Sequence, residues 1–299
     1  IYNMVDSIFI GQGVGPLAIS GLAITFPFMN LGAAFGAMVG VGASTLISVK
    51  LGQRDYSTAQ TVLGNVITLN LIIGIAFSII TLIFLNPILY FFGASADTVG
   101  YARDYMEIIL FGNVFSHMYF GLNAVLRASG HPQKAMYATI NTVVINTILD
   151  PIFIFHKGQA IFGGAFTMPI GLGLEVAGAA YATIIGQIVA AIVAIILNKT
   201  VNREIKISLR LMRPDREIVG KIYKIGFPSI LMQSVGSVMT FSLNKILIGF
   251  STTATAVFGA YFKLQSFIFM PVFGLNNGMI PIISSNVGAR KIDRVKKTI

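Results

Sequence analysis

Two acidic residues stand in apolar surroundings that offer a charge no partner. Asp150 lies in Asn146-Thr147-Ile148-Leu149-Asp150-Pro151, and Asp6 in Asn3-Met4-Val5-Asp6-Ser7-Ile8-Phe9-Ile10-Gly11. No charged residue falls between Asp6 and Lys50. A carboxylate at bilayer depth is costly and usually faces a water-filled cavity or carries function, so two of them suggest a cation or proton site. Asn146 and Asp150 are four residues apart, which stacks them on one helix face. Pro151 crowds the carbonyl four residues back, on Thr147, and loosens it beside the carboxylate. An amide oxygen, a carboxylate and a freed carbonyl are hard ligands of the kind that suit alkali and alkaline-earth ions. Desolvation also disfavours a lone carboxylate, so a proton would serve as the alternative ligand. Counting turns back from Gly13 and from Gly158 puts Asp6 and Asp150 at similar depth. On neighbouring helices they would share one proton or ion in a single hydrated pocket. Thr183, about two turns inside the following helix from the same side, offers a hydroxyl to complete it.

Those residues need helices to hold them, and the composition supplies little else. The 299 residues are 55% hydrophobic and 11% charged, with mean hydropathy +0.80; a soluble domain carries roughly a quarter charged residues. Uncharged runs over 7–49, 56–96 and 176–198 meet or exceed the roughly 20 residues needed to cross a bilayer. They are continuous rather than alternating, which excludes an outer-membrane barrel. The fold class is therefore an all-α polytopic membrane protein. Eight helical spans are expected near 1–12, 16–49, 58–92, 101–128, 133–156, 175–198, 224–250 and 254–289.

The net charge of +10 does not indicate nucleic acid. All but four of the 21 Lys and Arg residues fall in the segments 50–54, 127–134, 199–224 and 290–297, one at every second helix end. That is the positive-inside pattern, and it turns these segments toward the cytoplasm and its anionic lipids. The absence of cysteine excludes disulfides, thiolate metal sites and cysteine nucleophiles. His117, His131 and His156 show no metal spacing, and no Gly-x-Ser-x-Gly or His-Glu-x-x-His motif suggests an enzyme.

The chain also repeats itself. Phe35, Gly36 and Gly40 align with Phe273, Gly274 and Gly278, and a two-residue slip brings Gly52 and Arg54 onto Gly288 and Arg290. The division this suggests is an N-terminal lobe over 1–198, a cytoplasmic linker over 199–223 and a partial C-terminal lobe over 224–299. Six helices precede the linker, so a parallel repeat implies two six-helix lobes and twelve helices in all. The apolar, methionine-less start and the ending after a basic loop suggest a piece of that longer protein. Parallel repeats place substrate at the lobe interface in many transporters.

Several motifs in order resemble one known family. They are Val5-Asp6-Ser7-Ile8-Phe9-Ile10-Gly11, Leu126-Arg127-Ala128-Ser129-Gly130-His131-Pro132, Asn146…Asp150-Pro151, Met270-Pro271, Gly274-Leu275-Asn276-Asn277-Gly278-Met279-Ile280-Pro281 and Asn286-Val287-Gly288-Ala289-Arg290. Together they look like the multidrug and toxic compound extrusion (MATE) transporters, in particular the DinF-like branch, over essentially the whole chain. The resemblance implies a secondary exporter of organic, often cationic, drugs or metabolites in exchange for H⁺ or Na⁺. It implies a multi-pass, monomeric protein of the plasma membrane with no cofactor beyond the coupling ion. It assigns cation coupling to Asp6, Asn146, Asp150 and Thr183, adds Tyr105 to that network, and allows Na⁺ at Asp6, Asn146 and Asp150. Asn123 matches a polar substrate-cavity position, although its depth places it nearer the cytoplasm. The long loop from Lys157 to Glu175 departs from the family pattern. Lys245 and Lys263 are the only charges inside the last two spans, and Lys263 sits deep enough to face a cavity. Gly32, Gly36 and Gly40 form a close-packing ridge. The rival readings are a flippase of lipid-linked oligosaccharides, which would need a cationic pocket, and a channel, which would need repeated pore elements.

Overall fold

A computed structural model describes residues 2–161, 164, 166–248 and 252–299. Ten helices occur among the described residues: α1 (Tyr2–Gly13), α2 (Pro16–Gly52), α3 (Tyr56–Ile83), α4 (Leu85–Phe91), α5 (Val99–Ala128), α6 (Pro132–Ile154), α7 (Glu175–Thr200), α8 (Arg216–Ile248), α9 (Thr252–Gly288) and α10 (Ile292–Thr298). Five of them (α2, α3, α5, α6 and α7) are long and apolar enough to cross a membrane by length and composition. The polytopic helical architecture read from the sequence is the one observed.

Two boundaries differ from the expected ones, each for a local reason. The third span breaks after Ile83, because Pro87 has no N–H to donate and its ring crowds the Ile83 carbonyl four residues back. Helix α8 begins at Arg216, well inside the polar stretch expected to be linker. There the Asp215 carboxylate accepts from the Glu217 and Ile218 amides at 2.9 and 3.2 Å, satisfying donors that a helix start leaves open. The rest of that stretch is seated on α3: a Cβ added at Gly64 would lie 2.2 Å from the Leu211 carbonyl oxygen. The loop after α6 contains a short antiparallel hairpin, β1 (Ala160–Ile161) with β2 (Phe166–Thr167). Gln159 ties this loop to the end of α1 by donating to the Gly13 carbonyl at 3.2 Å.

The three basic turns share one design. After α2, α5 and α9 the chain reverses through a left-handed residue: Arg54 at φ 62, Gly130 at φ 83 and Arg290 at φ 57. In each turn the next amide donates back to the closing helix: Asp55 to Lys50, His131 to Leu126 and Lys291 to Asn286, all at 2.9 Å. These bonds absorb carbonyls that the helix ends would leave unpaired.

Two apolar cores fill the bundle, one at each end. The core at the basic end joins Val39 and Ile47 of α2, Val62 and Leu63 of α3, Leu122 of α5 and Ala190 of α7. The far core joins Ile10 of α1, Leu22 of α2, Tyr105 and Leu110 of α5, Ile154 of α6 and Ala180 of α7. Between them runs a polar layer: Asn113, Ser116 and His117 on α5, Asn146 on α6, and Thr183 and Gln187 on α7. The ridge of Gly32, Gly36 and Gly40 packs against this bundle, meeting Phe77, His117 and Ala124 respectively.

Candidate functional site

Helix α6 carries Asn146 and Asp150 one turn apart, facing inward while Ile148 between them is exposed. Helices α1 and α7 pack against α6, bringing Asp6 and Thr183 to the same place. Asn146 Nδ2 donates to Asp150 Oδ1 and to Thr183 Oγ1, both at 3.2 Å. The Thr183 hydroxyl in turn donates to Asp6 Oδ2 at 3.3 Å. The Asp6 carboxyl also reaches Asp150, Asn146 and Tyr105. Five residues from four helices thus form one cluster, and they are the five that the sequence reading grouped.

The cluster is rich in acceptors and poor in donors. Asp6 Oδ1, Asp150 Oδ2 and Asn146 Oδ1 are each buried with no hydrogen-bond donor among the described residues. A carboxylate can only accept, so the two facing carboxyls cannot satisfy one another unless something positive stands between them. Buried oxygen atoms left in this condition are costly. A proton between the acids, or a small hard cation among the three oxygens, would relieve the cost in the way oxygen ligands do.

One expectation needs correction. The acids converge, but they do not line a hydrated pocket in this state: Asp6 and Asp150 are both 0% exposed. Ile10, Tyr105 and Ile154, all of the far core, are fully buried around them. A large cavity of about 1740 Å³ lies instead at the basic end, lined by Arg54, Arg127, Glu204, Gly278 and Asn286 among others.

Asn123 is not brought to the acids. It is 18 residues beyond Tyr105 on α5, about 27 Å along the helix at the usual rise. Its amide donates to the Ala135 carbonyl at 2.9 Å and to the Tyr119 hydroxyl at 3.3 Å, and its oxygen accepts from Arg127. It braces α5 against α6. The side chains of Lys245 and Lys263 lie outside the described residues.

The sequence reading overlooked the rest of the polar layer. Ser116 donates to Gln187 across α5 and α7, and Ser78 of α3 donates to the Leu110 carbonyl at 2.8 Å. Asn113 Nδ2 bonds the Ser78 hydroxyl at 3.3 Å, and His117 Nδ1 sits 3.0 Å from the Asn113 carbonyl. The available signal was the recurrence of polar residues at positions 113, 116 and 117 of an otherwise apolar span.

Multidrug export protein MepA of Staphylococcus haemolyticus is 32% identical over all 299 residues, and that of Staphylococcus aureus is 31% identical. The chain spans 63% of the length of each. Among solved structures it is similar to a MATE protein in the bent conformation, with TM-score 0.86, 27% identity and coverage of 99% of this chain and 63% of that one. It is also similar to a multidrug resistance MATE family transporter of the MOP superfamily in an outward-facing conformation, with TM-score 0.83, 26% identity and the same coverage. The family model MatE matches residues 1–152 and 228–299, at both ends of the chain and including both acids. With three quarters of its residues inside that model, the chain belongs to the MatE family.

Proposed function

We propose that the chain is the greater part of a secondary active multidrug exporter, in which Asp6, Asn146, Asp150, Thr183 and Tyr105 bind the coupling ion, H⁺ or Na⁺. The observation that carries this reading is the set of three buried oxygens without donors, contributed by two helices and held by the Thr183 bridge. The multidrug export relatives support the cargo class: organic, often cationic, small molecules. The bacterial multidrug export relatives support a plasma-membrane location, and the positive-inside rule supports basic turns in the cytoplasm. Ion loading would neutralise or reshape the acid cluster and weaken its hold on a cationic drug. Where drug and ion compete, each must weaken the other by the same factor. An oligosaccharide-lipid flippase would present cations to a phosphate, whereas this buried cluster presents carboxylates.

The test is efflux in proteoliposomes with pH and sodium gradients imposed separately. Asp150→Asn and Asp6→Asn should each lower gradient-driven efflux about tenfold or more, which corresponds to about 1.4 kcal/mol or more. Efflux that is unchanged in Asp150→Asn would refute the assignment, and dependence on neither gradient would refute ion coupling. The gradient that drives the parent identifies the ion.

A further inference from the structure

Helix α2 meets the part of the chain beyond the linker through close backbone approaches as well as through the side chains of the shared core. A Cβ added at Gly42 would lie 2.1 Å from the Ile222 carbonyl oxygen of α8, and one added at Gly226 would lie 2.2 Å from the Met38 carbonyl oxygen. The same exchange recurs one stage closer to the basic turn. A Cβ at Gly52 would lie 2.1 Å from the Ser285 oxygen of α9, and one at Gly288 would lie 2.2 Å from the Val49 oxygen. In each pair the glycine of one helix receives the carbonyl of the other, and then the roles reverse. The sequence repeat aligns Val49 and Gly52 with Ser285 and Gly288, so the second exchange joins corresponding positions of the two halves.

These contacts gather at one end of the molecule. Higher on α9, at Gly274 and Gly278, an added Cβ meets nothing within 4 Å among the described residues. Gly52, Ser285 and Gly288 line the large cavity at the basic end. Small residues let membrane helices approach until their backbones touch, and packed interfaces of this kind change between discrete arrangements rather than bending. No methyl group can be accommodated at any of the four positions without displacing a main-chain oxygen.

We propose that Gly42 with Gly226 and Gly52 with Gly288 form a clasp that holds the basic end closed, and that its release opens that end. The reading as a transporter enters only in naming this end cytoplasmic; the clasp itself is tested without transport. The chain has no cysteine, so labels can be placed at will. Spin labels at Gln53→Cys and Lys291→Cys, exposed positions on the α2 and α9 turns, report their separation in liposomes. A second pair, Gln53→Cys with Gln133→Cys, stays within the first bundle and reports its integrity.

The parent should show two populations for the 53/291 pair, with weights that shift with pH, sodium or a transported dye. Gly52→Ala and Gly288→Ala should move the 53/291 distribution to the longer population and leave 53/133 unchanged. Gly220→Ala, whose added methyl on α8 meets nothing within 4 Å, should behave as the parent. A single 53/291 distance in the parent, unmoved under every condition, would overturn the clasp. So would alanine variants that keep both parent distributions. If the alanine variants lose the 53/133 distance as well, the parent's own response decides. A clasp that opens in a protein without ion-coupled efflux would sink the antiport reading and leave the clasp standing.

Discussion

Thr183 is the hinge of the acid cluster, since its hydroxyl accepts from Asn146 while donating to Asp6. Thr183→Val keeps the shape and the branch at Cβ but removes both bonds. The buried amide and carboxylate left behind should cost about 1–3 kcal/mol, so the apparent affinity for the coupling ion should fall about tenfold or more, with Thr183→Ser restoring most of it. Ion-dependent efflux titrations in proteoliposomes measure this, and an affinity unchanged in the valine variant would reduce the hydroxyl to a helix brace. This part of the site was legible in the sequence. The four-residue spacing of Asn146 and Asp150 fixes their common face, and turn counting fixes the depth of Thr183. Tyr105 was reachable only through family resemblance, because a tyrosine inside an apolar helix reads as core. The closure of the pocket was not legible at all: it depends on how Ile10, Tyr105 and Ile154 come together in the far core, which no spacing encodes.

At the scale of helices, ends and breaks were easier to read than faces. Pro132, Pro16 and the glycine-rich stretch before it mark starts, and Gly130 marks a stop. The break at Ile83 was missed although Pro87 announces it, because the apolar run continues on both sides. The Gly32, Gly36, Gly40 ridge was visible from its period of four, yet it serves the first bundle; Gly42, off that period, is the residue that touches α8. Asp55 gives a measurable end effect. It caps α3 by accepting from the Thr58 amide at 3.2 Å and pairs with Lys50 at 3.1 Å. The hydrogen bonds from Thr58, and then Lys50, hold its carboxyl below the usual 3.8. Its folded form therefore favours the charged state. The stabilisation is complete above the unfolded value and is lost as pH falls through the lower folded one. Asp55→Ala should cost about 1 kcal/mol at neutral pH, and the gap should close below pH 3.8. Thermal unfolding of parent and variant in detergent at the two pH values checks it.

For the molecule as a whole, the informative pattern is two apolar cores separated by a polar layer, with the acid cluster beside the far core and the basic turns at the other end. Helix α6 runs from one to the other: Pro132 follows a basic turn and Asp150 lies 18 residues on, about 27 Å away. The repeat explains why α2 and α9 meet as near equals, and Arg54 and Arg290 hold the same left-handed turn on both sides. The complete burial of Asp6 and Asp150 carries a kinetic corollary. With no route to bulk water in this state, ligand capture must wait for the protein to breathe. Stopped-flow loading, followed by a fluorescent reporter near α1, should then show a rate that levels off as sodium or proton concentration rises. The plateau would be the opening frequency of the helices themselves, whereas a rate climbing linearly without limit would mean the carboxyls are never sealed.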